Sequence, residues 1–382
     1  MRAYLPSLEP LIVTNHLDFL VNRSDWHATK FVEGSAPTDL SPGQVLFRID
    51  RFAFTANNIS YALSGDMIGY WRFFPTEEGW GRIPVMGFAD VIASTHDEVA
   101  VGTRCFGFYP MSRYLTIEPG KVNASNISDG VAHRADIAAV YNQYSPVQND
   151  GMYAADREDQ MLLLRGLFMT SFLCDDLMAD NNHYGAESVL ITSASSKTSI
   201  ALGYLVKKAG GAKAVGLTSE RNLEFVKSLG CYDEVVTYDE VKSLPANQAV
   251  VMVDMAGNAA LKSTLHHHFN DNMKYSCSVG ATHWDATAGD NKPLPGAKPE
   301  FFFAPGQIAK RTKDWGPAGL QEKLGTAWAA FRDSTDSWLS VKRGYGRDAV
   351  EEVFNETLDA NTSPAEGQII SLWDTPEQAA GK

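Results

Sequence analysis

Cysteine is scarce in this 382-residue chain: Cys105, Cys174, Cys231 and Cys277 stand dozens of residues apart. With no C-x-x-C pair and no clustered ligands, the pattern argues against a disulfide framework and against a structural zinc knot. It points instead to reduced, buried thiols. Positive charge is also short, with 33 Lys and Arg against 46 Asp and Glu, a formal net charge of -13. A surface of that sign argues against a nucleic-acid or anionic-membrane partner. No apolar run approaches the roughly 18 residues of a membrane span. The opening residues carry Glu9 and Asp18 and no small-residue cleavage site, so no signal peptide is expected and the protein is read as cytoplasmic. The G-x-S-x-G elbow and the P-loop are absent, and Ala194 rather than Ser precedes Lys197 by three residues. There is no internal repeat and no low-complexity tract.

What is present reads as two folded domains. Hydrophobic residues make up 44% and charged residues 21%, a globular composition, and the length exceeds one ordinary core. The first 120 residues contain short strands at 45–54, 87–93 and 105–109, separated by Gly- and Pro-rich turns, which predict a β-rich barrel or open sheet. From about residue 156 the texture changes. A helix is predicted over 156–179, followed by apolar strands at 188–192, 214–218, 234–236, 249–254 and 275–279 that alternate with helices of about ten residues. That alternation is the mark of a parallel, doubly wound α/β sheet. Residues 285–299 read as a loop, 318–331 and 348–358 as helices, and 367–372 as a strand that returns to the first domain. The expected organisation is a discontinuous β-rich domain of residues 1–150 and 290–382 around a dinucleotide-binding type domain of 151–289.

In doubly wound sheets ligands bind where the first strand turns into the first helix. Here that turn is Thr192-Ser193-Ala194-Ser195-Ser196-Lys197-Thr198-Ser199, without the usual glycine fingerprint. Six hydroxyls, the ammonium of Lys197 and a helix N-terminus suit a phosphate. Ser193, Ser195, Ser196, Lys197 and Thr198 are therefore candidate cofactor-binding residues. One Ser or Thr would suffice as a plain helix cap. At the end of the second strand a carboxylate would accept hydrogen bonds from the ribose hydroxyls of NAD and repel a 2′-phosphate. Thr218 and Ser219 stand there, with Arg221 close by, which favours NADPH. Glu220 pulls the other way.

Order and texture over most of the chain resemble the medium-chain dehydrogenase/reductase superfamily, and within it the zinc-free quinone and enoyl reductases. Asn57-Asn58-Ile59-Ser60-Tyr61-Ala62-Leu63-Ser64-Gly65 is similar to the early loop of quinone reductases. Gly87-Phe88-Ala89-Asp90-Val91-Ile92-Ala93 and Val101-Gly102-Thr103-Arg104-Cys105-Phe106-Gly107 resemble two strands of the catalytic domain. Residues 188–239, Met252 to Gly257 and Ser278-Val279-Gly280 are similar to the nucleotide domain, adding Gly280 to the cofactor candidates. The resemblance implies a Rossmann-type sheet domain with a GroES-like substrate domain. The zinc enzymes of the superfamily carry His-Glu where this chain has Phe88-Ala89, and their early catalytic Cys is missing. His266-His267-His268 lies on a helix, where consecutive side chains diverge, and is read as helix surface.

The resemblance implies hydride transfer from NADPH to an activated C=C, a quinone or a carbonyl, with no metal. Neutral donors would hold the developing enolate oxygen, and a cleft tyrosine or water would supply the proton. Tyr61 is the expected donor, with Asn57 and Asn58 beside it and Tyr70 and Trp71 nearby. Trp284 is expected on the nicotinamide side, and Phe301-Phe302-Phe303 as an apolar wall or as core. The resemblance also implies a homodimer, paired through the strand edge at Lys274 to Val279, with a small-molecule substrate bound between Tyr61 and the 195–199 turn of one chain. The alternative is a non-catalytic NADPH-binding module on the same fold.

Overall fold

The structure is a computed structural model and describes residues 15–67, 69–137, 139–279 and 293–381. In chain order it opens with β1 (His16–Asn22), β2 (Thr29–Gly34), β3 (Val45–Phe54), α1 (Ala56–Leu63), β4 (Trp80–Gly81), β5 (Val85–Ser94), β6 (Arg104–Tyr109), β7 (Tyr114–Ile117), β8 (Pro119–Asn123), β9 (Asn126–Asp129) and β10 (Gln143–Pro146). Helix α2 (Glu158–Asp180) follows. Then come β11 (Ser188–Ile191), α3 (Lys197–Ala209), β12 (Lys213–Thr218), α4 (Leu223–Ser228), β13 (Glu234–Thr237), β14 (Val250–Asp254), α5 (Ala259–Phe269), β15 (Met273–Ser278), β16 (Pro299–Phe301) and α6 (Ala304–Ser334). The chain ends through β17 (Ser340–Tyr345), α7 (Gly346–Leu358), β18 (Glu366–Ser371) and α8 (Pro376–Ala379). No described helix is long and apolar enough to cross a membrane.

Two compact units result, Met1–Leu163 with Val341–Lys382, and Leu164–Ser340. In the first, a sheet in the order β17-β18-β3-β5-β6-β10-β9-β8, with β7 also on β3, lies beside a small sheet β2-β1-β4. The returning strand β18 pairs antiparallel with β3, Gln368 opposite Phe54. Its core gathers Phe19, Phe47, Phe52, Phe54, Tyr109 and Tyr144, all buried. In the second unit the order β13-β12-β11-β14-β15-β16 is parallel throughout. That is the doubly wound order in which the chain reverses direction beside the first strand. Strands β11 and β14 are buried on both faces, which is why they read as unbroken apolar runs.

The unit boundaries differ from the expected ones. Residues 151–163 join the β-rich unit, and the stretch up to Ser340, assigned by sequence to that unit from residue 290, joins the parallel-sheet unit. The cause lies in two sets of contacts. At the start of α2, Arg51 pairs with Glu158 at 2.6 Å and Asp159 at 3.1 Å, and Arg104 pairs with Glu158 at 2.7 Å. Farther along, Phe168 of α2 meets Trp328 and Phe331 of α6 at ring distances of 5.5 and 5.2 Å. Helix α6 begins well before the predicted 318 and bends at Gly316 (φ 74°), ahead of Pro317.

Strand β15, expected as a free edge, is covered by β16, with Cys277 opposite Glu300. Three residues are too few for a periodicity signal, so the sequence reading, with its loop ending at residue 299, contains no strand there. Of the Phe triplet, Phe302 is buried while Phe301 and Phe303 are 48% and 63% exposed, so it is not core as a block.

Candidate active site

The β-rich unit assembles a cluster of aromatic rings and hydroxyls around α1. Asn58 starts that helix: its Oδ1 accepts the Thr55 N–H at 2.8 Å, and its Nδ2 donates to Pro84 O at 3.0 Å. Asn58 is buried and committed to the frame. It is not the amide that meets Tyr61, because Thr55 and Pro84 already engage its oxygen and its nitrogen. Asn57 does so, donating from Nδ2 to the Tyr61 hydroxyl at 2.7 Å. The Tyr61 ring stacks on Tyr70 with centroids 4.5 Å apart. The Tyr70 and Tyr141 hydroxyls lie 3.2 Å apart, and Phe73 and Phe108 flank Tyr141 at 5.2 and 5.1 Å. Tyr141 escaped the sequence reading; a lone Tyr in a short 3-10 turn carries no motif.

Burial pushes the phenols of Tyr61 and Tyr70 well above the usual tyrosine range, with the neighbouring Tyr141 adding to it. The Asn57 hydrogen bond works against this at Tyr61. Tyr61 therefore keeps its proton at neutral pH. Its oxygen accepts from Asn57, so that hydrogen bond does not use the phenol proton. Trp71 is placed differently from expectation. Its indole is buried against Gly65 and Gly81, where an added Cβ would meet the ring at 2.0 and 2.3 Å, so it belongs to the core.

The parallel-sheet unit builds the turn after β11. Of its six hydroxyls, three serve the turn itself. Thr192 Oγ1 donates to Asp254 Oδ1 at 3.0 Å and accepts the Met255 N–H at 2.9 Å. Ser196 caps α3 by accepting the Ser199 N–H at 3.2 Å, and Ser199 Oγ donates to Thr192 O at 2.8 Å. The hydroxyl count thus overstated what is free for a ligand: Ser196 is a cap. Ser193, Ser195, Lys197 and Thr198 are half-buried around the α3 N-terminus.

At the end of β12, Thr218 is buried and its Oγ1 has no hydrogen-bond partner among the described residues. Ser219 begins the turn that follows, and Glu220 and Arg221 are both exposed. Arg221 has no ion-pair partner among the described residues. Gly280 and Trp284 lie outside the described residues.

Among the described residues no three His, Cys, Asp or Glu side chains converge to hold a metal ion. His266 is buried rather than on the surface, its Nδ1 at 2.8 Å from Pro295 O and its Nε2 at 3.0 Å from Ser276 Oγ. His267 and His268 turn to Ser263 O and Leu244 O instead.

The same fold recurs in solved structures of low sequence identity. CurA of Vibrio vulnificus, crystallised in complex with NADPH, aligns over 93% of this chain and 98% of its own with a TM-score of 0.59 and 11% identity. A Mesorhizobium loti protein assigned as an NADPH:quinone reductase aligns over 97% and 100%, with a TM-score of 0.61 and 12% identity. The quinone oxidoreductase of Coxiella burnetii aligns over 94% and 99%, at 0.52 and 13%. No curated protein matches the chain. A family profile described as "Protein of unknown function (DUF2855)" matches residues 52–363. On that match the chain belongs to the DUF2855 family, built on the two-unit fold of the quinone oxidoreductases.

Proposed function

We propose that this protein is an NADPH-dependent reductase that transfers hydride to an activated C=C, quinone or carbonyl compound without zinc. One observation carries the cofactor half. At the end of β12 a buried hydroxyl, Thr218 Oγ1, has no hydrogen-bond partner among the described residues, three positions before the exposed Arg221, on a fold shared with a protein crystallised with NADPH. The residues fit the group. Ser195, Lys197 and Thr198 at the start of the 13-residue helix α3 would take the pyrophosphate, and Thr218, Ser219 and Arg221 the ribose and its 2′-phosphate. Bound NADPH would supply the hydride.

The chain's own contribution to chemistry is the aromatic site. Tyr61, held by Asn57, would deliver a proton to the carbon alpha to the carbonyl, and Tyr70 with Tyr141 would back it. Aromatic faces at such a site favour a planar, conjugated acceptor. Zinc-independence rests on the donor set, since the described His, Cys, Asp and Glu side chains offer no ligand triad. The homodimer is retained in revised form: β16, with Phe301 exposed on it and Phe303 exposed just after it, is the edge that would pair.

The test is NADPH consumption by purified protein against enones, quinones and enoyl thioesters, with elemental analysis alongside. Turnover by metal-free protein is expected. Tight NADPH binding with no turnover on any acceptor would make the protein a binding module, and a stoichiometric zinc would overturn the metal-free reading.

A further inference from the structure

In dinucleotide-binding turns, glycines let the chain bend sharply and approach the pyrophosphate. This turn has none, yet Ser193 adopts φ 52°, in the left-handed region. That region is disfavoured for a residue with a Cβ by a factor of roughly 5 to 30. Something must hold it there. Each residue from Thr192 to Ser195 is gripped by a side chain from a neighbouring strand end or turn. Asp254 takes Thr192 Oγ1 at 3.0 Å. The Tyr238 hydroxyl accepts the Ser193 N–H at 3.2 Å. The Tyr232 hydroxyl donates to Ala194 O at 2.9 Å, and Asn222 Nδ2 donates to Ser195 Oγ at 3.0 Å.

Glycines stand instead where Tyr232 needs room. An added Cβ would lie 2.4 Å from the Tyr232 ring at Gly203 in α3, and 3.0 Å from it at Gly216 in β12. Tyr232 itself is buried. Side-chain hydrogen bonds thus impose a shape that glycine elsewhere makes accessible.

We propose that Tyr238 and Tyr232 are positioning residues for the cofactor: they clamp a glycine-free phosphate turn into its binding shape, Tyr238 by fixing Ser193 in the left-handed conformation. This rests on the reading of the turn as an NADPH site. The clamp makes Tyr238 and Ser193 energetically coupled, which two separate packing roles would not.

The test is fluorescence titration of NADPH into wild type, Tyr238→Phe, Ser193→Gly and the double variant. Phenylalanine keeps the ring and removes only the acceptor, so folding should survive. Loss of one hydrogen bond predicts roughly five- to tenfold weaker NADPH binding for Tyr238→Phe. Ser193→Gly alone sets the reference: it removes the Ser193 hydroxyl, itself a candidate cofactor contact, and leaves a residue that reaches the same conformation unaided. In the Tyr238→Phe background it should restore most of the lost affinity. Unchanged affinity in Tyr238→Phe, or effects that simply multiply, overturns the proposal.

If wild type binds no NADPH, the functional reading fails and thermal unfolding decides the clamp separately. Ser193→Gly should then raise the midpoint more in wild type, where the hydrogen bond holds Ser193 in the strained conformation, than in the Tyr238→Phe protein, where Ser193 is released to relax. Equal shifts in both would sink it.

Discussion

Replacing Tyr61 by Phe removes one oxygen and leaves the frame standing. The ring stack on Tyr70 at 4.5 Å survives, and the lost partner, Asn57 Nδ2 at 2.7 Å, sits on an exposed helix face where water replaces it. The stability loss should therefore be no more than about 1 kcal/mol, the usual net value of one hydrogen bond. The rate is another matter. A positioned general acid contributes roughly 10²- to 10⁴-fold. If Tyr61 delivers the proton, Tyr61→Phe should lower single-turnover NADPH oxidation by about that factor while the NADPH dissociation constant stays within about twofold. Tyr141→Phe, which keeps Tyr61 and Asn57 intact, should cost less. The assay is stopped-flow oxidation of bound NADPH by the best acceptor, in H2O and in D2O. A loss below about threefold, with the solvent isotope effect unchanged, refutes the role and hands the proton to solvent or Tyr70.

Because burial keeps the Tyr61 and Tyr70 phenols protonated above their ordinary range, the rate should show no tyrosine-deprotonation limb between pH 7 and about 10, against an ordinary phenol value near 10; a decline with an apparent pKa near 8 would contradict that. Arg221→Ala should weaken NADPH roughly ten- to a hundredfold, the worth of a charge-assisted contact, and leave NADH nearly unchanged; equal losses for both would show that Arg221 does not read the 2′-phosphate. Asp18 is buried, which raises its pKa, but His16 and Arg82 outweigh that and hold it at about 2 against 3.8 unperturbed. Its contribution, about 2 kcal/mol by linkage, is present above pH 3.8 and disappears as pH falls through 2, so denaturant titrations should show Asp18→Asn to be less sensitive to acid over that window than wild type. Gly203→Ala should cost about 1–3 kcal/mol, since its Cβ would sit 2.4 Å from the buried Tyr232 ring; an unchanged thermal midpoint would show that the ring moves freely.

Periodicity in the sequence was enough to determine the doubly wound sheet, because a parallel strand covered on both faces must be apolar along its whole length: β11, β12 and β14 announce themselves as Val189-Leu190-Ile191, Ala214-Val215 and Val250-Val251-Met252-Val253. The return of β18 to the first domain was legible for a related reason, since an isolated apolar strand needs a sheet; which strand it joins, β3, was not. Local chemistry also located the turn after β11 and the cation after β12. Tertiary structure decided what those residues do. Asn57 and Asn58 are adjacent and chemically identical, yet helix geometry hands one to Tyr61 and the other to Thr55 and Pro84. Six hydroxyls look alike on the chain until Asp254 and the α3 cap claim Thr192, Ser196 and Ser199. Tyr141 reaches the site, and Tyr238 the turn, only through folding across 71 and 45 residues. Sequence spacing records periodicity along one element, whereas a hydrogen bond between elements depends on where the fold brings their ends.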